Sequence, residues 1–175
     1  MKTEDGAKKY ERKTKTPEQA LSALMRLASR AEKSSGDALR LMRTWGVDPA
    51  ARQEVLKTLT DQKFIDDRRY AEAYVREKSG LNGWGAYKIR QMLAAKGIDR
   101  ATADEALAQI GRGAAADKLR QMLERKARGA KDEDAYKLKG RLMRYGLSLG
   151  YGYEEVTESV ESVVKKIRET GDTEL

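Results

Sequence analysis

A short element that occurs three times constrains the fold of this chain more than any other sequence feature. Each copy is a glycine, an apolar residue and a turn residue: Gly46-Val47-Asp48, Gly97-Ile98-Asp99 and Gly150-Tyr151-Gly152. Ten and thirteen residues after each glycine stand two more apolar residues: Leu56 and Leu59, Leu107 and Ile110, Val160 and Val163. A repeat about fifty residues long with matched apolar positions predicts a helical unit used three times, not one folded globule.

The apolar residues elsewhere have the period of an amphipathic helix. The last predicted helix shows this most clearly, with apolar side chains three or four residues apart at Val156, Val160, Val163, Val164 and Ile167. No segment alternates with the period of two that is typical of a strand. We therefore predict an all-α fold of tandem three-helix repeats, with about nine helices in three units, forming an elongated, curved molecule.

Capping and turn residues place the boundaries of these units. The sequence Thr16-Pro17-Glu18-Gln19 has the pattern of a capping box, with Pro in the first helical position, and marks where order begins. The predicted segments are a disordered basic N-terminal arm (1–15), three three-helix units (16–64, 65–111 and 112–169) and a C-terminal tail (170–175). Within the second unit, residues 79–85 contain three glycines and an asparagine and are predicted to form a loop.

The composition indicates the class of partner and excludes several kinds of chemistry. A formal charge of +8 and a pI near 9.6 favour a polyanion or an acidic protein surface as partner. Neither cysteine nor histidine is present, which excludes Ser-His-Asp and Cys-His nucleophile systems and His-based metal centres. The adjacent carboxylates of Asp66 and Asp67 are interpreted as helix-capping groups. We expect no catalytic residue, no metal and no cofactor.

Two further expectations concern location and assembly. No apolar run approaches the roughly 20 residues that span a bilayer, and the first fifteen residues lack the apolar segment of a signal peptide. We expect a cytoplasmic protein with no membrane contact. We also expect a monomer, because few apolar residues lie outside the predicted core stripes.

The glycine-rich segment Gly80-x-x-Gly83-x-Gly85 resembles a phosphate-binding loop only superficially. It follows a predicted helix instead of a strand, and it lacks the Lys-Ser/Thr pair of a P-loop. We interpret it as a flexible turn that sets the angle between the fourth and fifth helices. Trp84 and Tyr87 beside it could stack on a nucleic-acid base, but packing in the core or against a partner is the preferred interpretation for both.

The basic side chains are the predicted functional residues. Lys and Arg outnumber Asp and Glu by eight to three over residues 68–100 and by eleven to five over residues 112–144, whereas residues 154–175 are acidic. The candidate partner-binding residues are Arg76, Lys88, Arg90, Lys96, Arg120, Arg125, Lys126 and Arg128. They could form one basic stripe along successive units. The alternative, that they are ordinary solvated helix faces, stays open for each residue.

Several motifs together resemble the RecX family of bacterial recombination regulators. They are Arg-x-x-x-Ser from Arg30 to Ser34, the Ile-Asp-Asp-x-x-Tyr-Ala junction from Ile65 to Ala71, Gly83-x-Gly85, Ile89, Leu93, Lys96-Gly97-Ile98 and the repeated glycine turn. The resemblance covers about residues 17–168. The third unit departs from the pattern because Gly146 lies inside a predicted helix.

This resemblance implies a non-catalytic modulator of RecA. Members of the family bind the RecA–DNA filament in its helical groove, restrain filament growth, and depress the ATPase and strand-exchange activities of RecA. The implied partners are RecA and its filament, with direct contact to single- or double-stranded DNA as a further possibility. The residues by themselves also allow a basic, helix-turn-helix-like DNA-binding protein that acts without RecA, although no third helix begins with the cluster of Arg, Asn and Gln typical of a recognition helix.

Overall fold

A computed structural model describes residues 14–129 and 134–171. These ranges contain nine α-helices and no strand, which confirms the all-α prediction for this part of the chain. The helices are α1 (Pro17–Ala28), α2 (Ser35–Thr44), α3 (Pro49–Asp61), α4 (Asp67–Gly80), α5 (Ala86–Ala95), α6 (Arg100–Ala108), α7 (Arg112–Arg128), α8 (Ala135–Ser148) and α9 (Tyr153–Gly171). Most of the predicted arm and tail, at residues 1–13 and 172–175, lies outside the described residues.

The chain divides into two compact bodies, Met1–Asp66 and Asp67–Leu175. The first body contains α1 to α3 around one hydrophobic cluster, in which Leu24, Met42 and Leu59 are fully buried. The second body contains α4 to α9 around two clusters, one formed by α4 to α6 and the other by α7 to α9. The second and third predicted units are therefore parts of the same compact body.

The repeated glycine ends a helix in each copy. Gly46, Gly97 and Gly150 have φ values of +66°, +80° and +87°, in the left-handed region that favours glycine. After α2, the Val47 N–H donates to the Met42 carbonyl at 3.0 Å and the Gly46 N–H donates to the Arg43 carbonyl at 3.1 Å. These bonds form a Schellman motif, and the same pair of bonds closes α5 at Ile98 and Gly97.

The two residues after each glycine also have defined structural roles. Val47, Ile98 and Tyr151 are buried, so the apolar residue of the repeat anchors each turn in a core. In the first two copies an aspartate then caps the next helix, as when the Asp99 carboxylate accepts from the Thr102 N–H at 2.9 Å. In the third copy the Glu155 carboxylate accepts from the Gly152 N–H at 2.9 Å. The three-residue element is thus a helix stop followed by a helix start.

The start of α1 confirms the predicted capping box. The Thr16 hydroxyl accepts from the Gln19 N–H at 3.3 Å, and the Gln19 side chain accepts from the Thr16 N–H at 3.1 Å. Ser34 caps α2 in a similar way by accepting from the Asp37 N–H at 3.1 Å, and Ser34 is itself fully buried. Local sequence therefore determines where these helices begin.

The glycine-rich segment differs from its prediction. Residues 79 and 80 continue α4, so the loop is shorter than predicted and covers residues 81–85. The loop is anchored to the turn between α8 and α9, because the Gly85 N–H donates to the Leu149 carbonyl at 2.8 Å and the Tyr87 N–H donates to the Gly150 carbonyl at 3.0 Å. The interpretation of this segment as a flexible turn did not anticipate these backbone bonds, which join the two halves of the second body.

The side chains of Trp84 and Tyr87 have different environments. Trp84 is half-buried and packs against both hydrophobic clusters of the second body, so the packing interpretation is confirmed for this residue. The ammonium groups of Lys78 and Lys88 lie 5.6 and 4.5 Å from the centroid of its ring. Tyr87, in contrast, is 66% exposed and belongs to neither core.

Gly146 allows α8 to approach α9 closely. A Cβ atom at this position would lie 2.7 Å from Cγ1 and 3.0 Å from Cγ2 of Val156, a fully buried side chain of α9. A glycine costs about 1 kcal/mol of helix propensity relative to alanine. The departure of the third unit from the family pattern thus has a packing reason, because glycine is the residue that fits this crossing.

We expect Gly146→Ala to lower the free energy of unfolding by about 1–2 kcal/mol, since overpacking outweighs the gain in helix propensity. Gly140→Ala is the matched control in the same helix, because a Cβ there meets only the end of the Arg144 side chain at 3.6 Å. The control is expected to increase stability by up to about 1 kcal/mol. Urea denaturation measures both, and a stabilised Gly146→Ala variant would contradict the close helix crossing.

Candidate interaction surface

The charged residues that distinguish this surface lie on α7 and along a groove beside it. Apolar residues Leu119, Met122, Leu123 and Ala127 of α7 are buried, and the charged side chains of this helix lie on the rest of its circumference. Lys118, Arg125 and Arg128 are seven and three residues apart, and this spacing places them on one side of the helix. We call these three residues the α7 basic stripe.

A groove of about 760 Å³ lies within the second body, between the parts that carry its two clusters. Its apolar lining includes Trp84, Leu107, Ile110 and Ala115. Its cations are Arg90, Arg112 and Lys118, so the α7 basic stripe begins at the groove. We call it the interunit groove.

The interunit groove is lined by three cations and two carboxylates, an excess of one positive charge. Its carboxylates both have partners: Asp104 accepts from Arg90 Nε at 2.7 Å, and Glu155 accepts from the Gly152 N–H. The hydrogen bond from Arg90 lowers the pKa of the Asp104 carboxyl, with a smaller contribution from Arg100. Arg112 and Lys118, by contrast, have no side-chain hydrogen bond or ion pair with any residue that the structure describes.

Tyr151 closes one side of this groove and belongs to the repeated element. Its side chain is buried, and burial raises the pKa of its hydroxyl to about 12, with a further contribution from the nearby Glu155 carboxylate. The hydroxyl is therefore neutral at physiological pH and adds no negative charge to the groove.

Four of the eight predicted residues have structural roles within the second body, and the other four are exposed without such a role. Three have contacts that serve the fold: Arg90 joins α5 to α6 through Asp104, Arg120 pairs with Asp117, and Lys88 donates to the Ser148 carbonyl at 3.3 Å. Lys96 forms the C-cap of α5 and is half-buried.

The remaining four are exposed: Arg76, Arg125, Lys126 and Arg128. Arg76 stands on α4 and does not line the interunit groove. Arg125 Nη2 lies 2.8 Å from Met122 Sδ, and Lys126 Nζ lies 5.2 Å from the centroid of the Tyr145 ring. Both side chains therefore have one contact within the second body. Arg128 has no such contact with a described side chain.

Two residues of this surface, Arg112 and Lys118, were not among the sequence candidates. Both belong to a segment with an excess of Lys and Arg, so the signal for finding them was present in the charge count. The sequence does not reveal how α4 to α6 pack against α7. This packing places both side chains beside an apolar groove.

The described residues include no group of three or more His, Cys, Asp or Glu side chains that could hold a metal ion. Within residues 14–129 and 134–171, none of the helices combines the length and the apolar character that crossing a bilayer requires.

The chain is similar in sequence to proteins named regulatory protein RecX. A family model for the second three-helix domain of RecX matches residues 66–107. The RecX of Clostridium tetani is 35% identical over 124 residues, which cover 70% of this chain and 55% of that protein. The RecX of Serratia proteamaculans is 32% identical over 110 residues, which cover 63% of this chain and 64% of that protein. The chain thus spans little more than half the length of the clostridial relative.

Solved structures show the same fold. The crystal structure of RecX from Lactobacillus salivarius matches with a TM-score of 0.76 and 20% identity, covering 84% of this chain and 96% of that one. A second structure, of regulatory protein RecX, also matches with a TM-score of 0.76, at 23% identity, covering 83% of this chain and 71% of that one. The nine helices of the described ranges, the match to the three-helix domain at residues 66–107 and the sequence relatives point the same way: this chain is similar to the RecX family in sequence and in fold.

Proposed function

We propose that this protein is a non-catalytic regulator of homologous recombination and DNA repair that binds RecA and its filament on single-stranded DNA. Binding limits filament growth and inhibits the ATPase and strand-exchange activities of RecA. The interunit groove and the α7 basic stripe are the proposed contact surface. The strongest support is that Arg112 and Lys118 lie beside an apolar groove and form no ion pair with a described side chain.

The chemistry of this surface favours association over catalysis. Its cations suit an acidic protein surface or the phosphates of DNA bound in the filament, and its apolar lining provides area that a protein partner can bury. A RecA filament repeats its protomers, so a bound protein that contacts two neighbours changes how subunits add or leave without breaking a covalent bond. This action requires neither a nucleophile nor a metal.

Inhibition of RecA tests this function directly. We expect the ATPase rate of RecA on circular single-stranded DNA to fall when this protein is present at well below one molecule per RecA. No change in rate at saturating protein and low salt would overturn the proposal.

The alternative, a DNA-binding protein that acts without RecA, predicts a different result. In that case duplex DNA alone would be bound tightly and with sequence preference, and RecA would be affected only through competition for DNA. Titration of duplexes of different sequence in the absence of RecA therefore separates the two functions.

A further inference from the structure

A second concave site lies on the second body, away from the α7 basic stripe. It is a cleft of about 490 Å³ between the start of α5 and the turn from α8 to α9. Its lining residues are Tyr87, Lys88, Gln91, Leu147, Ser148, Gly150, Tyr151, Gly152 and Tyr153. We call it the tyrosine cleft, because two of its most exposed side chains are Tyr87 and Tyr153, at 66% and 68% exposure.

The backbone of the tyrosine cleft is fixed while its aromatic rings remain accessible. The Tyr87 N–H donates to the Gly150 carbonyl at 3.0 Å, and Lys88 Nζ donates to the Ser148 carbonyl at 3.3 Å. These bonds join both walls of the cleft. Large exposed aromatic side chains on a rigid backbone lose little conformational entropy when they bind a partner.

The chemistry of the tyrosine cleft suits a nucleic-acid base. Tyrosine rings offer flat faces for stacking, and Gln91 has an amide that can both donate and accept hydrogen bonds at a base edge. No carboxylate is among the lining residues, and Lys88 gives the cleft a positive charge that suits the phosphates of a bound strand. A volume of about 490 Å³ lies within the range of small-ligand sites.

We propose that the tyrosine cleft binds unstacked bases of single-stranded nucleic acid, with Tyr87 and Tyr153 as the stacking residues. Duplex DNA is excluded as the ligand because its bases already stack on one another. The inference extends the proposed function, but its test uses no RecA. A failure of base binding can therefore be distinguished from a failure of RecA inhibition.

The test compares two fluorescein-labelled twelve-residue oligonucleotides, one of deoxythymidine and one made of abasic sites with the same number of phosphates. Fluorescence anisotropy of the full chain with each oligonucleotide measures binding at equal salt. We expect wild-type protein to prefer the thymidine oligonucleotide. Tyr87→Ala and Tyr153→Ala should each weaken its binding about tenfold and leave abasic binding unchanged.

Three variants provide controls. Tyr136→Ala removes a tyrosine that is 84% exposed at the start of α8, outside the cleft, and should bind both oligonucleotides as the wild type does. Tyr87→Phe and Tyr153→Phe keep the rings and should keep the preference for bases.

Two results would overturn the inference. One is equal binding of the thymidine and abasic oligonucleotides by wild-type protein, a measurement that needs no variant. The other is a Tyr87→Ala/Tyr153→Ala protein that binds the thymidine oligonucleotide as tightly as the wild type, which would show that these two rings do not bind bases.

Discussion

Gly150→Ala is expected to lower the free energy of unfolding of the second body by about 3–4 kcal/mol, the largest stability effect of any substitution considered. Gly150 has a φ of +87°, and a Cβ there would lie 2.4 Å from Lys88 Cβ and 2.6 Å from the Lys88 N atom. The strain therefore has two sources, an unfavourable backbone conformation and a collision with the backbone of α5. Neither can be relieved by rotating a side chain.

Gly85, whose backbone lies against Gly150, gives an independent test of the packing at this turn. A Cβ on Gly85 would lie 2.4 Å from the Gly150 carbonyl oxygen, although Gly85 itself has an ordinary φ of −81°. Gly85→Ala is thus expected to destabilise through the collision alone, by about 2–3 kcal/mol. If both variants were as stable as the wild type, the close contact between the loop and the α8–α9 turn would be refuted.

The two tryptophans allow each body to be followed by fluorescence during urea denaturation. Trp45 lies in the first body and Trp84 in the second, so a Trp45→Phe background reports on the second body alone. Gly113→Ala is the control in α7, where a Cβ meets nothing within 4 Å.

Gly46→Ala in the first body should lower the free energy of unfolding by only about 1 kcal/mol. Its φ is also positive, but its close neighbour is the movable side chain of Thr14.

Reversing two charges of the α7 basic stripe is expected to raise the concentration needed for half-maximal RecA inhibition by at least about tenfold. The double variant Arg125→Glu/Arg128→Glu turns two exposed cations into anions that repel an acidic surface or phosphate. Thermal stability should change little, by about 0.5–1 kcal/mol, because each residue stands in the last turn of a helix and interacts with its dipole.

Arg26→Glu/Arg43→Glu is the matched control. These arginines are exposed, stand in the last turns of α1 and α2, and give the same change in net charge when reversed. The control should inhibit RecA as the wild type does, within about twofold, if long-range charge effects are screened at physiological salt. An equal loss in both variants would show that inhibition follows total charge, and would remove the α7 basic stripe from the proposed surface.

Capping and helix-stop signals were predictable because they act over a few residues. A left-handed glycine, a buried apolar residue and a capping aspartate are all satisfied by neighbours in the chain, so the repeat at Gly46, Gly97 and Gly150 could be recognised from the sequence. The same holds for the capping box at Thr16. The end of α4 lies two residues beyond its prediction, because the low helix propensity of Ser79 and Gly80 does not by itself decide where a helix ends.

The candidate surface was less predictable because it depends on which charged side chains form contacts within the folded chain. Lys88 and Arg90 have the same charge as Arg112 and Lys118 in the sequence. In the fold, Arg90 is bound by Asp104 and Lys88 lies over Trp84, whereas Arg112 and Lys118 stand unpaired among the described residues at the groove. A count of charges cannot separate these two pairs.

By itself the sequence determined the helices, the places where they start and stop, and the positive charge, since these depend on local backbone preference and composition. The tertiary structure alone decided that the Gly85 loop meets the Gly150 turn, and that this contact opens a groove on one side and the tyrosine cleft on another. The physical reason is distance along the chain. The backbones of Gly85 and Gly150 can come together only after the helices between them have packed. No local sequence pattern indicates this contact.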